Sequence, residues 1–446
     1  MRVPSRQSLV RDPPAPDAGG ALRRYHELDG LRGAMMLLGV ALHAAVAYLQ
    51  TPLGDLWPFK DPHTHPGFDA LVALLHTFRM PVFFALAGFF GALLHEQRGG
   101  RHMVRNRAQR VLVPLVVGWI VLFPLSVAGF AFAQMGGTLD AAGRAVRYAA
   151  STAAFADLQL LHLWFLSDLL LYYAVALLAC RLARLVPEAG RRVAVDGFGR
   201  LLRHWYAPLA LAVPTLLTLI PMRSGMLETP GTFLRPPASI AAHGVFFAFG
   251  WMLYLRRDLL PGMTTRAWGL TLAGLGLFPV HALAVVHLAA LPSRAVHTAA
   301  ITSLAATIWL FVFGLIGLST RYLTHPRPVL RYLADASYWF YLAHLPLVAW
   351  GAGLLGTLSW PAGIKYVTLL TAVLATCGIT YDLAVRPTAL GALLNGRRYP
   401  RGLPLLVRSG AWRAGRRNGD ATAASSGPDS GASPVGRVGR PADVQP

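Results

Sequence analysis

Three ionisable residues, Asp29, Arg32 and His43, sit in or beside the first apolar run of the chain. Eleven positions separate Arg32 from His43. At about 100° per residue that leaves a remainder of only ~20°, so in a helix the two share a face. They would lie about 16 Å apart along the axis, with Asp29 one turn before Arg32. The pattern is a charged anchor at one rim and an imidazole deep above it. The bland equivalent is a snorkelling Arg and a core His bonded to a carbonyl. A second apolar run, His76 to Phe90, holds Arg79, with Pro81 two residues later to loosen the helix. A buried guanidinium needs a partner. Asp168, at comparable depth in the fourth span, is one choice, and an anionic or carbonyl group in an internal cavity is the other. His162 and Trp164 lead into Asp168. Trp164 alone fits an interfacial aromatic belt, whereas His162 would stand at the mouth of a cavity, facing an incoming substrate. Ser337, Tyr341 and His344 fall on one helical face by their 4 + 3 spacing. His243, His281 and His287 read as packing or interface residues.

Each ionisable group inside a bilayer costs roughly 2.5–3.5 kcal/mol on insertion scales, so each is a candidate for function. The inventory is imidazoles and a buried guanidinium, without an obvious nucleophilic Ser or Cys. It suits a general base acting on a hydroxyl, and equally a His that carries an acyl group transiently. No phosphate-cradling Gly-rich loop and no metal-ligand cluster is visible, so no metal and no bound cofactor are expected. Two cysteines, Cys180 and Cys377, exclude a disulfide framework and a cysteine-rich zinc site.

The elements that must position these residues are membrane spans. The 446 residues are 54% hydrophobic and only 14% charged, against about a quarter charged in soluble domains. Charge-free runs at 33–54, 80–95, 111–139, 204–222, 236–255, 267–293, 295–320, 336–364 and 366–381 mostly reach the ~18–20 residues a bilayer requires. Two further spans, about 70–94 and 162–180, carry Arg79 and Asp168. The expectation is an all-α polytopic bundle of about ten spans. The net charge of +21 first suggests nucleic acid or anionic lipid. Its distribution says otherwise. Of 41 Arg and Lys, 33 fall in alternate connections and the tails, and seven in the intervening loops. That alternation puts both termini in the cytoplasm and makes the charge a topology signal, with the lipid bilayer rather than nucleic acid as partner. Ala45-Val46-Ala47 resembles a signal-peptide cleavage site, but the preceding basic region is too long for one. Three divisions are expected: a disordered N-tail at 1–22, a transmembrane domain at 23–390, and a basic, largely disordered C-tail at 391–446.

Leu28-Asp29-Gly30-Leu31-Arg32-Gly33 followed by His43 is similar to the opening signature of the integral-membrane acyltransferase 3 family. Phe78-Arg79-Met80-Pro81-Val82-Phe83-Phe84 ending in Gly88-Phe89, then His162-Leu163-Trp164-Phe165-Leu166, and Tyr341…His344-Leu345-Pro346 resemble its later motifs. Arg105, Arg107 and Arg110 before Pro114 fit as well. The resemblance spans about residues 25–385, and its Phe-Arg-Met-Pro and His-Leu-Trp-Phe-Leu forms are most like the branch that succinylates osmoregulated periplasmic glucans. Ala87 stands where the family commonly has Ser, so a hydroxyl role there is absent. The resemblance implies acyl transfer from cytoplasmic acyl-CoA, a co-substrate, to a glycan hydroxyl at the far face of the inner membrane. His43 and Arg79 would be catalytic, and Arg32, Asp29, Arg105 and Arg107 would serve the donor. His162 and Trp164 would face the acceptor, with Asp168, Ser337, Tyr341 and His344 supporting. A transporter or flippase for a glycan or organic anion would also use intramembrane Arg, Asp and His.

Overall fold

A computed structural model describes residues 25–54, 57–155, 159–229, 231–325, 327–396 and 398–401. The expected N-tail at 1–22 lies outside these, as does most of the C-tail expected at 391–446. The described part is all-α, with an isolated bridge between Gln159 and Thr232 in place of any strand.

The helices follow the charge-free runs. They are α1 (His26–Val46), α2 (Pro66–Arg107), α3 (Val113–Gln134), α4 (Leu139–Ala149), α5 (Trp164–Leu182), α6 (Glu188–Arg203) and α7 (Ala207–Leu219). The second half holds α8 (Pro237–Leu255), α9 (Ala267–Ala290), α10 (Arg294–Tyr322), α11 (Pro328–Gly356), α12 (Ala362–Thr380) and α13 (Ala389–Asn395). Local chemistry sets several starts. Proline, whose missing N–H costs nothing in a first turn, opens α2, α8 and α11. Thr138 and Ser293 cap α4 and α10 by accepting from Ala141 N and Val296 N.

Eight helical runs are long and apolar enough to cross a membrane, not ten. The difference has two sources. Residues 66–134 form one helical run, bent at Gly99, where φ is +75°, and joined through a π-helical turn at Ala108–Leu112. Two of the expected spans lie inside it. The expected span at 204–222 becomes α7, only 13 residues long, because the chain leaves the helix at Leu219 just before Pro221. The chain is a multi-pass membrane protein, with α3, α7, α9 and α12 turning residues such as Ile120, Leu217, Val286 and Val367 outward as an apolar surface.

The helices α1, α10 and α11 are the most enclosed. The first packs against α2, α10, α11 and α12, so His43 and Arg32 lie on an interior element. Along α2 the backbone presses directly on α8: a Cβ on Gly88 would overlap the Phe247 carbonyl, and one on Gly250 the Ala85 carbonyl. Those two glycines let α2 approach closely enough to hold Arg79 inside the bundle.

Candidate active site

The site begins with an imidazole pair from helices 301 residues apart in sequence. His43 Nδ1 on α1 lies 2.7 Å from His344 Nε2 on α11, with the rings 5° from parallel. The backbone determines which nitrogens carry protons. His344 Nδ1 is 2.7 Å from the Tyr341 carbonyl oxygen and 2.9 Å from that of Phe340. Carbonyls only accept, so His344 Nδ1–H donates and its Nε2 must accept. His43 Nδ1–H is then the donor to it. What remains is His43 Nε2, a lone pair with no protein partner among the described residues. With both rings neutral, the hydrogen bonds run in one direction and leave that nitrogen as an open acceptor.

His162 joins this cluster. Its Nε2–H donates to the Leu342 carbonyl at 3.1 Å, its ring lies 5.3 Å from that of His344, and its own carbonyl accepts from Tyr341 Oη at 2.8 Å. Its Nδ1 is buried without a partner. The preceding Leu161 takes a left-handed backbone at φ +48°, a conformation costing on the order of 1–3 kcal/mol for a residue with a side chain. It turns the chain between the bridge residue Gln159 and α5, carrying His162 inward.

Arg79 reaches α1 one turn before His43. Its guanidinium lies against Gly39, where any Cβ would overlap it. Gly39 precedes His43 by four residues and so shares its face, about 6 Å nearer the Arg32 end. Among the described residues Arg79 has no carboxylate partner, and its Nε is buried without a hydrogen bond. The pairing with Asp168 does not occur. Asp168 instead meets Arg235 at 2.7 Å, and both side chains are buried. Arg235 is 67 positions further on, so no local spacing could have signalled it. Trp164 packs against His243, centroid to centroid 5.3 Å, and against Phe84. Ser337 donates to the Ala334 carbonyl on its own helix.

At the other end of α1, Arg32 is held by Asp29 at 3.1 Å and lies 5.5 Å from the Phe90 ring. Arg107 stacks on Tyr173 at 4.2 Å and keeps a buried, unpartnered Nε. Arg110 lies within electrostatic range of Arg32, Arg98 and Arg107. Arg110 carries a backbone carbonyl that accepts from Tyr338 Oη at 2.6 Å. Arg105 is exposed.

Three residues have no local signal in the sequence. Trp57, in the connection between α1 and α2, stacks on His43 with centroids 6.1 Å apart and planes 22° apart. Lys365 of α12 and Asp61 of the same connection form a fully buried ion pair at 2.8 Å.

A membrane-embedded bundle with arginines at one end of α1, and an imidazole pair beside a guanidinium without a carboxylate further along, has the groups an integral-membrane group transferase needs. The acyltransferase domain of the acyltransferase 3 family matches residues 25–382, most of the chain, and the protein belongs to that family. It is an acyltransferase. It is also 22% identical to glucans biosynthesis protein C of Salmonella typhi, over 84% of this chain and 95% of that protein, with the same figures for Salmonella typhimurium. For Salmonella paratyphi A the identity is 23% over the same shares. No solved structure matches.

Proposed function

We propose that the chain is an O-acyltransferase of the inner membrane that moves an acetyl or succinyl group from cytoplasmic acyl-CoA to a hydroxyl of a periplasmic or cell-surface glycan. The observation that carries this reading is the relay ending at His43 Nε2, an unprotonated nitrogen beside a guanidinium without a carboxylate. The glycan acceptor is drawn from the name of the Salmonella relatives. CoA phosphates would dock on Arg32 and Arg107, with Asp29 fixing Arg32 and exposed Arg105 adding charge at the entrance. The pantetheine arm would then run along α1, past Arg79, towards His43.

The transfer balances without further groups. His43 Nε2 takes the proton of the acceptor hydroxyl as its oxygen attacks the thioester carbon. The carbonyl oxygen gains negative charge, which Arg79 stabilises. The tetrahedral species expels the CoA thiolate, and His43 returns the proton to that sulfur. His344 keeps His43 Nδ1 protonated throughout, so only Nε2 exchanges protons with substrate. His162 and Tyr341 brace His344, and Trp164 with Asp168 builds the wall behind them.

The test is His43→Ala, with mass spectrometry of periplasmic and surface glycans from cells carrying the wild type, the variant or neither. A positioned base contributes about 10²–10⁴-fold, so the variant should reach the membrane and leave the glycan unacylated. The mass difference identifies the group as acetyl or succinyl. Acylation at the wild-type level would overturn the assignment of His43. No acyl difference between cells with and without the protein would overturn the glycan reading.

A further inference from the structure

Beyond His43, at the end of α1 opposite Arg32, the connection to α2 and the end of α3 line an open-mouthed cavity of about 250 Å³. That is just under the ~300–1,000 Å³ of clefts that hold drug-sized ligands, and leaves room for one ring of sugar size. Its lining is mixed: Thr51, Lys60 and Gln134 bring polar groups, and Trp57, Pro58 and Phe59 bring apolar faces.

Trp57 belongs to both the cavity and the candidate active site. It lines the cavity, and its indole stacks on the His43 imidazole. It is only 8% exposed, yet its Nε1–H has no hydrogen-bond partner. A buried donor left unmade costs roughly 1–3 kcal/mol, so the indole is held here by its packing.

The cavity wall is also braced. The Asp69 carboxylate accepts from Gln50 N at 2.8 Å and Thr51 N at 2.9 Å, and Gln134 Nε2 donates to the Pro58 carbonyl at 2.9 Å. Asp61 N bonds the Ala47 carbonyl at the end of α1, and the Asp61 carboxylate is clamped by Lys365. These ties hold the cavity in register with His43 and give the site the pre-organisation that binding requires.

We propose that this cavity is the acceptor subsite: it takes a single hydroxyl-rich sugar ring against Trp57 and presents one ring hydroxyl to His43. An indole covers the C–H face of such a ring. Thr51, Lys60 and Gln134 supply the remaining polar contacts around the ring edge. The inference rests on the acyl-transfer reading for what happens to the hydroxyl, and on the cavity alone for what binds.

Binding is therefore tested separately from turnover. Purified protein in nanodiscs is titrated with cellotriose, laminaritriose and maltotriose, with glycerol as a polyol without a ring. At least one triose should bind, and bind more tightly than glycerol. Trp57→Ala should weaken that triose about tenfold or more, Trp57→Phe about threefold because the ring face remains, and Gln134→Ala about threefold. Gln134 is exposed, so its variant decides the matter if Trp57→Ala does not fold. Failure of the wild type to bind any triose, glycerol binding as tightly, or wild-type affinity in both Trp57→Ala and Gln134→Ala would each overturn the subsite. Triose binding that follows the variants without any acyl transfer from acetyl-CoA or succinyl-CoA would leave the subsite standing and remove the acyl-transfer reading.

Discussion

In the proposed relay, His344 acts on the reaction only through His43. Its Nδ1–H is anchored on carbonyls of its own helix, so its free nitrogen can only accept, and that decides the tautomer of His43. Replacing it with Phe keeps the ring and removes the acceptor. His43 is then free to hold its proton on Nε2, the wrong nitrogen. A wrong tautomer in an analogous triad costs about 10⁴ in turnover, and with no carboxylate in this relay we expect about 10²-fold or more on kcat. The KM values for acyl-CoA and acceptor should move by less than threefold. Assaying acetyl and succinyl transfer by the purified variant checks this, and a kcat within threefold of wild type would reduce His344 to packing. The stripe of Ser337, Tyr341 and His344 was legible from its spacing, as was the shared face of Arg32 and His43. The meeting of His43 with His344 was not, because helical periodicity orders side chains within one helix and is silent on which face meets which. Gly39 was equally hidden: its role is the space it leaves for Arg79, and a missing side chain carries no pattern.

At the scale of elements, the connection between α1 and α2 is tied down by one buried pair. Asp61 and Lys365 are both inaccessible to solvent, and His63 stands 3.4 Å from the same ammonium. Breaking such a pair leaves a buried charge uncompensated, at about 3–5 kcal/mol, whereas replacing both partners is often neutral. Asp61→Asn and Lys365→Met should each lower the melting temperature in detergent and weaken triose binding, since the cavity wall hangs from Asp61. The double variant should be more stable than either single one. Melting temperatures that fall additively would show that the pair is not coupled. Lys60 and Lys365 stand out in the sequence as the only lysines among 41 basic residues, but which of them is buried depends on how the loop folds back. Asp168 follows the same logic. Its depth was legible, while its partner came from the distant Arg235, because a buried carboxylate selects whichever cation the tertiary fold brings nearest. The number of long helices differs from the number of expected spans for a related reason: hydropathy sees composition, whereas Pro221 ends α7 early and the run that bends at Gly99 holds two of the expected spans.

For the whole molecule, the unusual pairing of few charges with a large net charge follows from the distribution of arginine. Thirteen of the 20 acids accompany the 33 basic residues of the predicted cytoplasmic segments, so that side carries +20 of the +21. A donor bearing several phosphates would be drawn by this asymmetry to the Arg32 end of α1, away from the Trp57 cavity at the other end. The division of labour requires that the two ends face different compartments. Orientation is therefore the decisive property at this scale. In a Cys180→Ala background, with Cys377 buried, single cysteines at exposed positions report it. Asp140→Cys at the start of α4 should react with a membrane-impermeant maleimide in intact spheroplasts. Arg192→Cys on the exposed basic helix α6 should react only after the membrane is opened. The reverse pattern would place Arg32 outside, away from any cytoplasmic acyl-CoA. It would require the donor to be an extracytoplasmic acyl carrier, so the direction of transfer turns on these two labelling reactions.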